Sequence, residues 1–372
     1  MRILAALALV LAAGCAGKSV GPKPAELVEL DKPQRVRVLW SAQVGGAEPY
    51  IFSPALVGGA VYTAARDGTV KRLDAATGRE VWSAPSQKDL SAGAGAGART
   101  VAVATEEGEV IALDADTGKL RWRARVSSEV IAAPTVGAGL VLVRSVDSRI
   151  FAFEEDDGKR RWVYQRAAAS LMVRSPAGVS LEGDTAFAGF SGGKLTALAL
   201  SNGGLRWEAT VALPKGATEL ERVTDIVGDP AVDGREVCVA AYQGRVACYE
   251  TANGRQSWAR DMSSLTGVSL DAGYAYVSDD RGAVHALDRS NGRSVWKQDK
   301  LSLRQLSLPV ALGNVIAVGD FKGYVHFLSR DSGAFIARYA ADRAAIRAAP
   351  VALPPSSLLV ETQDGGLFAL SL

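Results

Sequence analysis

Histidine, cysteine and methionine are scarce in this chain, whose 372 residues include two His, three Cys and three Met. So few His and Cys side chains leave little material for the metal centres that these residues usually form. An excess of one charge is also missing, because 42 Lys and Arg face 40 Asp and Glu, a net charge of +2. Without a strong field, the protein is not expected to bind nucleic acid or to collect on an acidic membrane by charge. The 48% of hydrophobic residues instead predicts a globular protein with a large core.

An apolar run long enough to cross a membrane is absent from the N-terminus. Residues 3–13 are apolar, but eleven residues are too few for a spanning helix, which needs about twenty. The run follows Arg2 and ends at Cys15, in the sequence Leu-Ala-Ala-Gly-Cys, which resembles a bacterial lipobox. The resemblance implies that residues 1–15 are a lipoprotein signal peptide and that Cys15 is lipidated and carried to the outer membrane. An ordinary secretory peptide is the alternative, since Ala12 stands where a lipobox usually has Leu.

Residues 16–34 combine three Pro with mixed charge and few apolar side chains. Such a composition predicts a flexible, semi-extended tether outside the core. The structured domain is therefore expected to cover residues 35–372.

This domain is built from a repeat that is marked by a turn glycine. Successive turn glycines are 40, 40, 45, 51, 38 and 41 residues apart, and six of the seven Trp stand four residues after one of them. The glycines followed by Trp are Gly78, Gly118, Gly158, Gly203, Gly254 and Gly292. A seventh, Gly333, is followed by Ala337 in place of Trp. Each Trp is expected to pack between neighbouring sheets and to donate its N–H to a nearby carbonyl, rather than to bind a ligand.

Each repeat also contains two short apolar strands around an X-Gly turn, a pattern typical of a β-hairpin. With the Trp strand and an innermost strand, every unit predicts four antiparallel strands, which form the blade of a β-propeller. There are eight hairpins, but the last ends at Leu372 without a Trp strand, whereas the strand around Trp40 has no hairpin before it. The predicted fold class is therefore all-β, an eight-bladed propeller whose last blade is closed by the N-terminal strand.

The repeat, clearest in residues 73–82 and 113–122, resembles the tryptophan-docking repeat of pyrroloquinoline-quinone (PQQ) dehydrogenases. Those quinoproteins use an adjacent pair of Cys, an Asp base and a calcium cage of Glu, Asn and Asp, and the sequence has no matching cluster. A degenerate quinoprotein oxidoreductase is kept as the alternative function. His285 and His326 occupy a strand position that varies between blades, so neither is assigned a metal or acid–base role.

The chain resembles the BamB family, lipoproteins of the outer-membrane β-barrel assembly machinery. The resemblance lies in the lipobox, the short tether and eight such blades without the catalytic residues of the quinoproteins. The resemblance covers essentially the whole chain, and its specific parts are residues 170–176, 217–226 and 319–326. It implies a scaffold without enzymatic activity or cofactor, anchored at the periplasmic face of the outer membrane. It also implies binding to the periplasmic domains of the barrel-inserting subunit, BamA, and contact with unfolded outer-membrane proteins.

Two repeat spacings, 45 and 51, are longer than the others. In repeat folds such insertions map to loops on one face, often the binding face. The extra residues fall at 164–175 and 211–228, on neighbouring blades, and are predicted to form one patch of apolar side chains with Arg and carboxylates. That mixture is typical of an interface centre with a polar rim. The predicted partner-binding residues are Leu171, Met172, Val173, Arg174 and Asp225.

The family resemblance assigns a role to parts of both loops. A Leu-x-Leu-Arg pattern that contacts BamA corresponds to residues 171–174. The family's paired aspartates correspond to Asp225 and Val227, so the second has lost its charge, with Asp229 as a nearby replacement. The alternative is that the two loops only pack on each other, with Arg174 paired to Asp225.

Cys238 and Cys248 flank the fifth hairpin turn, at Gln243-Gly244. A loop with an odd number of residues would place them directly opposite, where an oxidising periplasm allows a disulfide. A two-residue loop would pair Cys248 with Val239 and leave two buried thiols on opposite faces. The sequence leaves both arrangements open.

Overall fold

The computed structural model describes residues 22–167, 169–354 and 356–372, so the proposed signal peptide and Cys15 lie outside the described residues. The described chain forms 32 strands in eight four-stranded antiparallel sheets. The first strands of consecutive sheets touch around a closed ring, and the eighth sheet returns to the first. The prediction of an all-β, eight-bladed propeller is confirmed. Within these residues, no helix has the length and apolar character needed to cross a membrane.

Blades 1 to 4 take their strands in chain order from the axis to the rim. These strands are β2 (Ala55–Val57), β3 (Ala60–Ala64), β4 (Thr69–Asp74), β5 (Glu80–Pro85), β6 (Gly95–Ala96), β7 (Thr100–Ala104), β8 (Glu109–Asp114), β9 (Leu120–Arg125), β10 (Thr135–Gly137), β11 (Leu140–Ser145), β12 (Arg149–Glu154), β13 (Arg160–Gln165), β14 (Val179–Glu182), β15 (Thr185–Phe190), β16 (Lys194–Ala199) and β17 (Leu205–Thr210).

Blades 5 to 7 repeat this order, and blade 8 takes its outer strand, β1 (Arg37–Gln43), from the N-terminus. The remaining strands are β18 (Ile226–Asp233), β19 (Glu236–Ala241), β20 (Arg245–Glu250), β21 (Gln256–Asp261), β22 (Ser269–Leu270), β23 (Tyr274–Ser278), β24 (Val284–Asp288), β25 (Ser294–Gln298), β26 (Val310–Leu312), β27 (Val315–Gly319), β28 (Tyr324–Ser329), β29 (Phe335–Ala340), β30 (Val351–Leu353), β31 (Ser357–Glu361) and β32 (Gly366–Ser371). Strand β1 pairs with β32 from Arg37 opposite Ser371 to Gln43 opposite Gly366, which confirms the predicted closure.

Seven Trp side chains each connect one blade to the next, at every junction except that between blades 7 and 8. Each indole lies against the turn glycine of the following blade, where an added Cβ would come within 3 Å of the ring. Each Nε1–H donates to a backbone carbonyl of that blade at 2.6–3.1 Å. The pairs are Trp40–Gly78, Trp82–Gly118, Trp122–Gly158, Trp162–Gly203, Trp207–Gly254, Trp258–Gly292 and Trp296–Gly333. The predicted packing role of Trp is confirmed.

Blade 7 has Ala337 in place of Trp, and the closure of the ring explains this exception. The next blade, blade 8, has no turn between its third and fourth strands, because β32 comes from the C-terminus and β1 from the N-terminus. No turn glycine is therefore available there for an indole ring to cover.

The antiparallel strands distribute the connections over two faces. We call the upper face the one that carries the turns between second and third strands and the connections between blades. The lower face carries the remaining turns. The two longest interblade connections are residues 166–178, between β13 and β14, and residues 211–225, between β17 and β18. We call them the first and the second insertion, and both lie on the upper face.

Cys238 and Cys248 form a disulfide within blade 5. Strand β19 ends at Ala241 and β20 begins at Arg245, so the loop between them has three residues. This odd-numbered loop places the two cysteines directly opposite each other, and both are buried. Of the two arrangements that the sequence left open, the structure has the bridged one.

Candidate partner-binding surface

The first insertion presents apolar side chains and a cation on the upper face. Leu171 and Met172 are 45% and 38% exposed, so two adjacent apolar side chains face solvent in this segment. The side chain of Arg174 is 59% exposed, whereas Val173, between Met172 and Arg174, is half-buried. The structure therefore brings four of the five predicted partner-binding residues together in one exposed segment.

Asp225, the fifth predicted residue, is 4% exposed and has a different position. Its Oδ2 accepts a hydrogen bond from the backbone N–H of Val173 at 2.5 Å, and its Oδ1 accepts one from Gly192 at 3.2 Å. Burial raises the pKa of Asp225, while the two N–H donors and the charge of Arg144 act in the opposite direction. The carboxylate therefore ties the second insertion to the first and to blade 4, instead of facing solvent.

A second carboxylate makes a similar link. Asp229 accepts a hydrogen bond from the backbone N–H of Gly178 at 2.5 Å, at the end of the first insertion. Val227, where the family pattern has an aspartate, is buried and pairs with Ala240 in the sheet of blade 5. Asp225 and Asp229 together hold the first insertion through its backbone at two points, Val173 and Gly178.

Arg174 pairs with Glu129, which lies in the connection between blades 2 and 3. Both terminal nitrogens of Arg174 donate to the Glu129 carboxylate, one of them to Oε2 at 2.8 Å. The hydrogen bonds to Glu129 raise the pKa of Arg174 above its ordinary value. The sequence-based alternative that Arg174 pairs with Asp225 is therefore wrong, because Asp225 is already occupied by backbone donors.

Tyr50 of the connection into blade 1 extends this network across the mouth of the propeller. The Arg174 guanidinium lies 5.7 Å from the centre of its ring, and the Arg66 guanidinium lies 5.3 Å from it. The Tyr50 hydroxyl donates to Glu106 at 3.1 Å. Burial, together with the neighbouring carboxylates of Glu106 and Glu129, raises the pKa of Tyr50 to about 12. Sequence reasoning missed Glu129 and Tyr50, since neither lies in a connection of unusual length.

The second insertion is stabilised by its own hydrogen bonds. The Glu221 carboxylate accepts the backbone N–H groups of Ala217 and Thr218, and Arg222 donates to the carbonyl of Gly216. These contacts occupy charged side chains that the sequence assigned to the rim of the patch. The insertion instead exposes Leu213 and Leu220, which add apolar surface.

A funnel of about 550 Å³ opens on the upper face between the blade connections. Val173 and Arg174 form one side of it, and apolar side chains from the connections after blades 5 and 6 form the other. These include Leu265 and Leu303, which are exposed at the opening of the funnel. The exposed segment of the first insertion is thus part of a larger apolar mouth.

The histidines and cysteines in the described part of the chain are engaged in structural contacts. One group, Glu236 with Cys238 and Cys248, has metal-like spacing. Its two sulfurs form the disulfide, and Glu236 accepts a hydrogen bond from Arg289 at 2.8 Å. The two histidines each contact an aspartate of their own blade, His285 with Asp279 and His326 with Asp320.

The chain is similar to a family of known proteins. Residues 66–298 match the family model described as outer membrane protein assembly factor BamB. The chain is 42% identical to the outer membrane protein assembly factor BamB of Burkholderia pseudomallei, over 98% of this chain and 95% of that protein.

Two solved structures are similar to this chain in their fold. BamB from Moraxella catarrhalis superposes with a TM-score of 0.84 and 26% identity, and the match covers 91% of this chain and 100% of that chain. A quinohemoprotein alcohol dehydrogenase from Pseudomonas putida superposes with a TM-score of 0.71 at 13% identity, over 91% of this chain and 76% of that one. At 13% identity, this second likeness shows a common propeller fold and nothing about activity.

Proposed function

Because this chain belongs to the BamB family of outer membrane protein assembly factors, we propose that it is a non-catalytic scaffold for inserting β-barrel proteins into the outer membrane. In this role it binds the periplasmic domains of the barrel-inserting subunit, BamA, and assists unfolded outer-membrane proteins. The observation that carries the proposal is the exposed segment at Leu171 to Arg174, held in place from below by buried Asp225.

The chemistry of the upper face suits a protein partner. Leu171 and Met172 offer apolar contact area, and Arg174 supplies a residue type that is enriched at interface hot spots. Leu213 and Leu220 of the second insertion are further exposed apolar side chains. Because both insertions are anchored through their backbone, little conformational entropy is lost when a partner binds.

The alternative, a degenerate quinoprotein oxidoreductase, has less support. The histidines and the disulfide cysteines are held by structural contacts, and the likeness to the alcohol dehydrogenase is limited to the fold. Adding PQQ and calcium should leave the absorption spectrum equal to the sum of the components. A shifted quinone band that follows protein concentration would favour the oxidoreductase instead.

Membrane attachment is proposed to occur through lipidated Cys15, at the periplasmic face of the outer membrane. A single acyl chain gives marginal binding, whereas several chains on one cysteine anchor a protein stably. Replacing Cys15 by Ser should move the protein from the membrane to the soluble periplasmic fraction. If both proteins fractionate alike, the lipid anchor is wrong.

Capture of partners from outer membranes in mild detergent tests the scaffold proposal. The tagged lipoprotein should retain the barrel-inserting subunit, and Leu171→Asp should abolish this retention while the melting temperature stays unchanged. Leu120→Asp is the matched control, because Leu120 is an exposed apolar residue on the outer strand of blade 2, away from both insertions. Equal retention by wild type and Leu171→Asp would remove this surface as the binding site.

A further inference from the structure

The segment that precedes the propeller lies against blade 7. We call residues 22–34 the strap. The backbone N–H of Ala25 donates to the carbonyl of Ser302 at 2.9 Å, in the connection before blade 7. The N–H of Gln34 donates to Ile336 at 3.0 Å, on the outer strand of the same blade. The strap therefore starts at the upper face, in the connection before blade 7, and runs along the outer strand of that blade to near its lower end before it enters β1.

Two arginines of blade 7 and the connection before it hold the strap through its carbonyl groups. Arg304 donates from Nη1 to the carbonyl of Ala25 at 3.0 Å, and Arg338 donates from Nη1 to that of Val28 at 3.1 Å. Because these bonds reach the backbone, they fix the path of the strap independently of its side chains.

Both arginines belong to a buried polar chain. Arg304 donates from Nε to Asp320 at 2.7 Å, and His326 contacts the same carboxylate oxygen through Nε2 at 2.9 Å. The Nε–H of Arg338 donates to His326 Nδ1 at 3.2 Å, which places the imidazole proton on Nε2. Arg304, Asp320 and His326 are almost completely inaccessible. Charged groups at this depth are stable only when they are paired and hydrogen-bonded, and the strap completes two of the bonds.

The start of the strap lies at the mouth of the propeller. Pro22 and Pro24 line the same funnel as Val173 and Arg174. Seven residue steps separate Cys15 from Pro22. A fully extended chain covers at most about 3.6 Å per residue, so the lipidated cysteine can be no more than about 25 Å from the mouth.

We infer that the strap orients the propeller, so that its upper face, with the mouth and the two insertions, faces the membrane. This inference rests on the lipid anchor of the proposed function. If the strap were undocked, the chain would leave the propeller at β1, on the rim, with more than twenty residues of flexible tether. The propeller could then present either face to the lipid. With the strap docked, the chain that leads to the lipidated cysteine leaves the propeller next to the candidate partner-binding surface.

Two positions at opposite ends of strand β23 test this orientation. Asp280 is exposed and lines the mouth on the upper face, and Ala272 is exposed in the turn on the lower face of the same blade. Asp280→Cys and Ala272→Cys are each labelled with a fluorophore in the lipidated protein, where the native cysteines 238 and 248 are bridged. The proteins are then bound to liposomes that carry a quenching lipid headgroup.

The expected result is a larger loss of fluorescence at Asp280→Cys than at Ala272→Cys. Insertion of about twenty Gly and Ser residues after Gly21 should abolish the difference while membrane binding persists. Arg338→Met, which removes the bond to Val28 and leaves those at Ala25 and Gln34, should reduce the difference. Hydrogen exchange at the amide of Ala25 monitors docking directly. It should quicken in Arg338→Met and stay slow in the lengthened protein.

Equal quenching at both positions, or stronger quenching at Ala272→Cys, in membrane-bound wild type would overturn the orientation and leave the anchor intact. Rapid exchange at Ala25 in wild type would overturn docking of the strap. Failure of wild type to float with the liposomes would overturn the anchor itself, and the orientation with it.

Discussion

The carboxylate of Asp225 accepts the backbone N–H of Val173, 52 residues earlier in the chain. Family resemblance assigns both residues to the surface that contacts the partner. In the structure the two residues have different roles. Asp225 is buried and stabilises the first insertion, whereas the side chains next to Val173 are exposed and available to a partner. Different experiments should therefore detect the two contributions.

Asp225→Ala should lower the free energy of unfolding by about 2 kcal/mol, because the N–H groups of Val173 and Gly192 lose their acceptor in a buried site. Urea unfolding measures this loss, and hydrogen exchange should show a faster amide at Val173. Glu219→Ala, in an exposed part of the same insertion, is the control and should change neither quantity. Unchanged stability in Asp225→Ala would show that the carboxylate does not support the loop.

Arg174→Glu should weaken binding to the barrel-inserting subunit by about 30-fold, or about 2 kcal/mol, as the loss of a hot spot does. The substitution also places two carboxylates together, so Glu129→Gln is needed as a control. It breaks the ion pair and keeps Arg174, and because the Arg174 side chain is 59% exposed and can be solvated by water, the loss of the pair should cost about 1 kcal/mol of stability. If Glu129→Gln weakens binding as much as Arg174→Glu, the pair positions the loop and Arg174 is not a hot spot.

Gly158→Ala should destabilise the propeller more than Gly139→Ala. Both glycines have a positive φ, +72° and +75°, which costs an L-residue about 1–2 kcal/mol. An added Cβ at Gly158 would also lie 2.6 Å from the Trp122 ring, whereas at Gly139 it would meet nothing within 4 Å. Displacing the ring should add about 1–3 kcal/mol, which chemical denaturation can resolve. Equal losses in the two variants would mean that the indole contact contributes little.

Glu361 should make the protein less stable as the pH rises above about 4.5. The residue is 3% exposed, and neither carboxyl oxygen has a hydrogen-bond partner among the described residues. Burial raises its pKa well above the ordinary value of 4.5, so the unfolded chain loses this proton at a lower pH than the folded protein does. Between the two pKa values the free energy of unfolding falls by up to about 1.4 kcal/mol per pH unit from this group.

Glu361→Gln should therefore increase stability at neutral pH and leave it unchanged near pH 4. Urea unfolding at several pH values measures the slope, with Glu182→Gln at an exposed strand position as the control. A wild-type slope that survives the substitution would assign the pH dependence to other groups.

The propeller could be derived from the sequence in detail. The eight hairpins predicted the number of blades, and the Trp40 strand without a hairpin predicted the closure, because hairpins and Trp strands are patterns within about ten residues. The exception at Ala337 was visible in the sequence, but its reason needed the assembled ring, in which blade 8 lacks a third turn. The family resemblance read from these patterns is confirmed by relatives that match along nearly the whole chain.

The contacts of the candidate site depended on tertiary structure. Unequal spacing located the exposed segment at Leu171 to Arg174, since an insertion changes the length of the chain itself. It could not show that Arg174 pairs with Glu129, or that Arg304 and Arg338 hold the strap, because these partners are 45 or more residues away or lie in connections of ordinary length. Local sequence determines strands and turns through short-range sterics and hydrogen bonding. Pairing between distant side chains is decided only when the blades pack around the ring and bring particular loops within bonding distance.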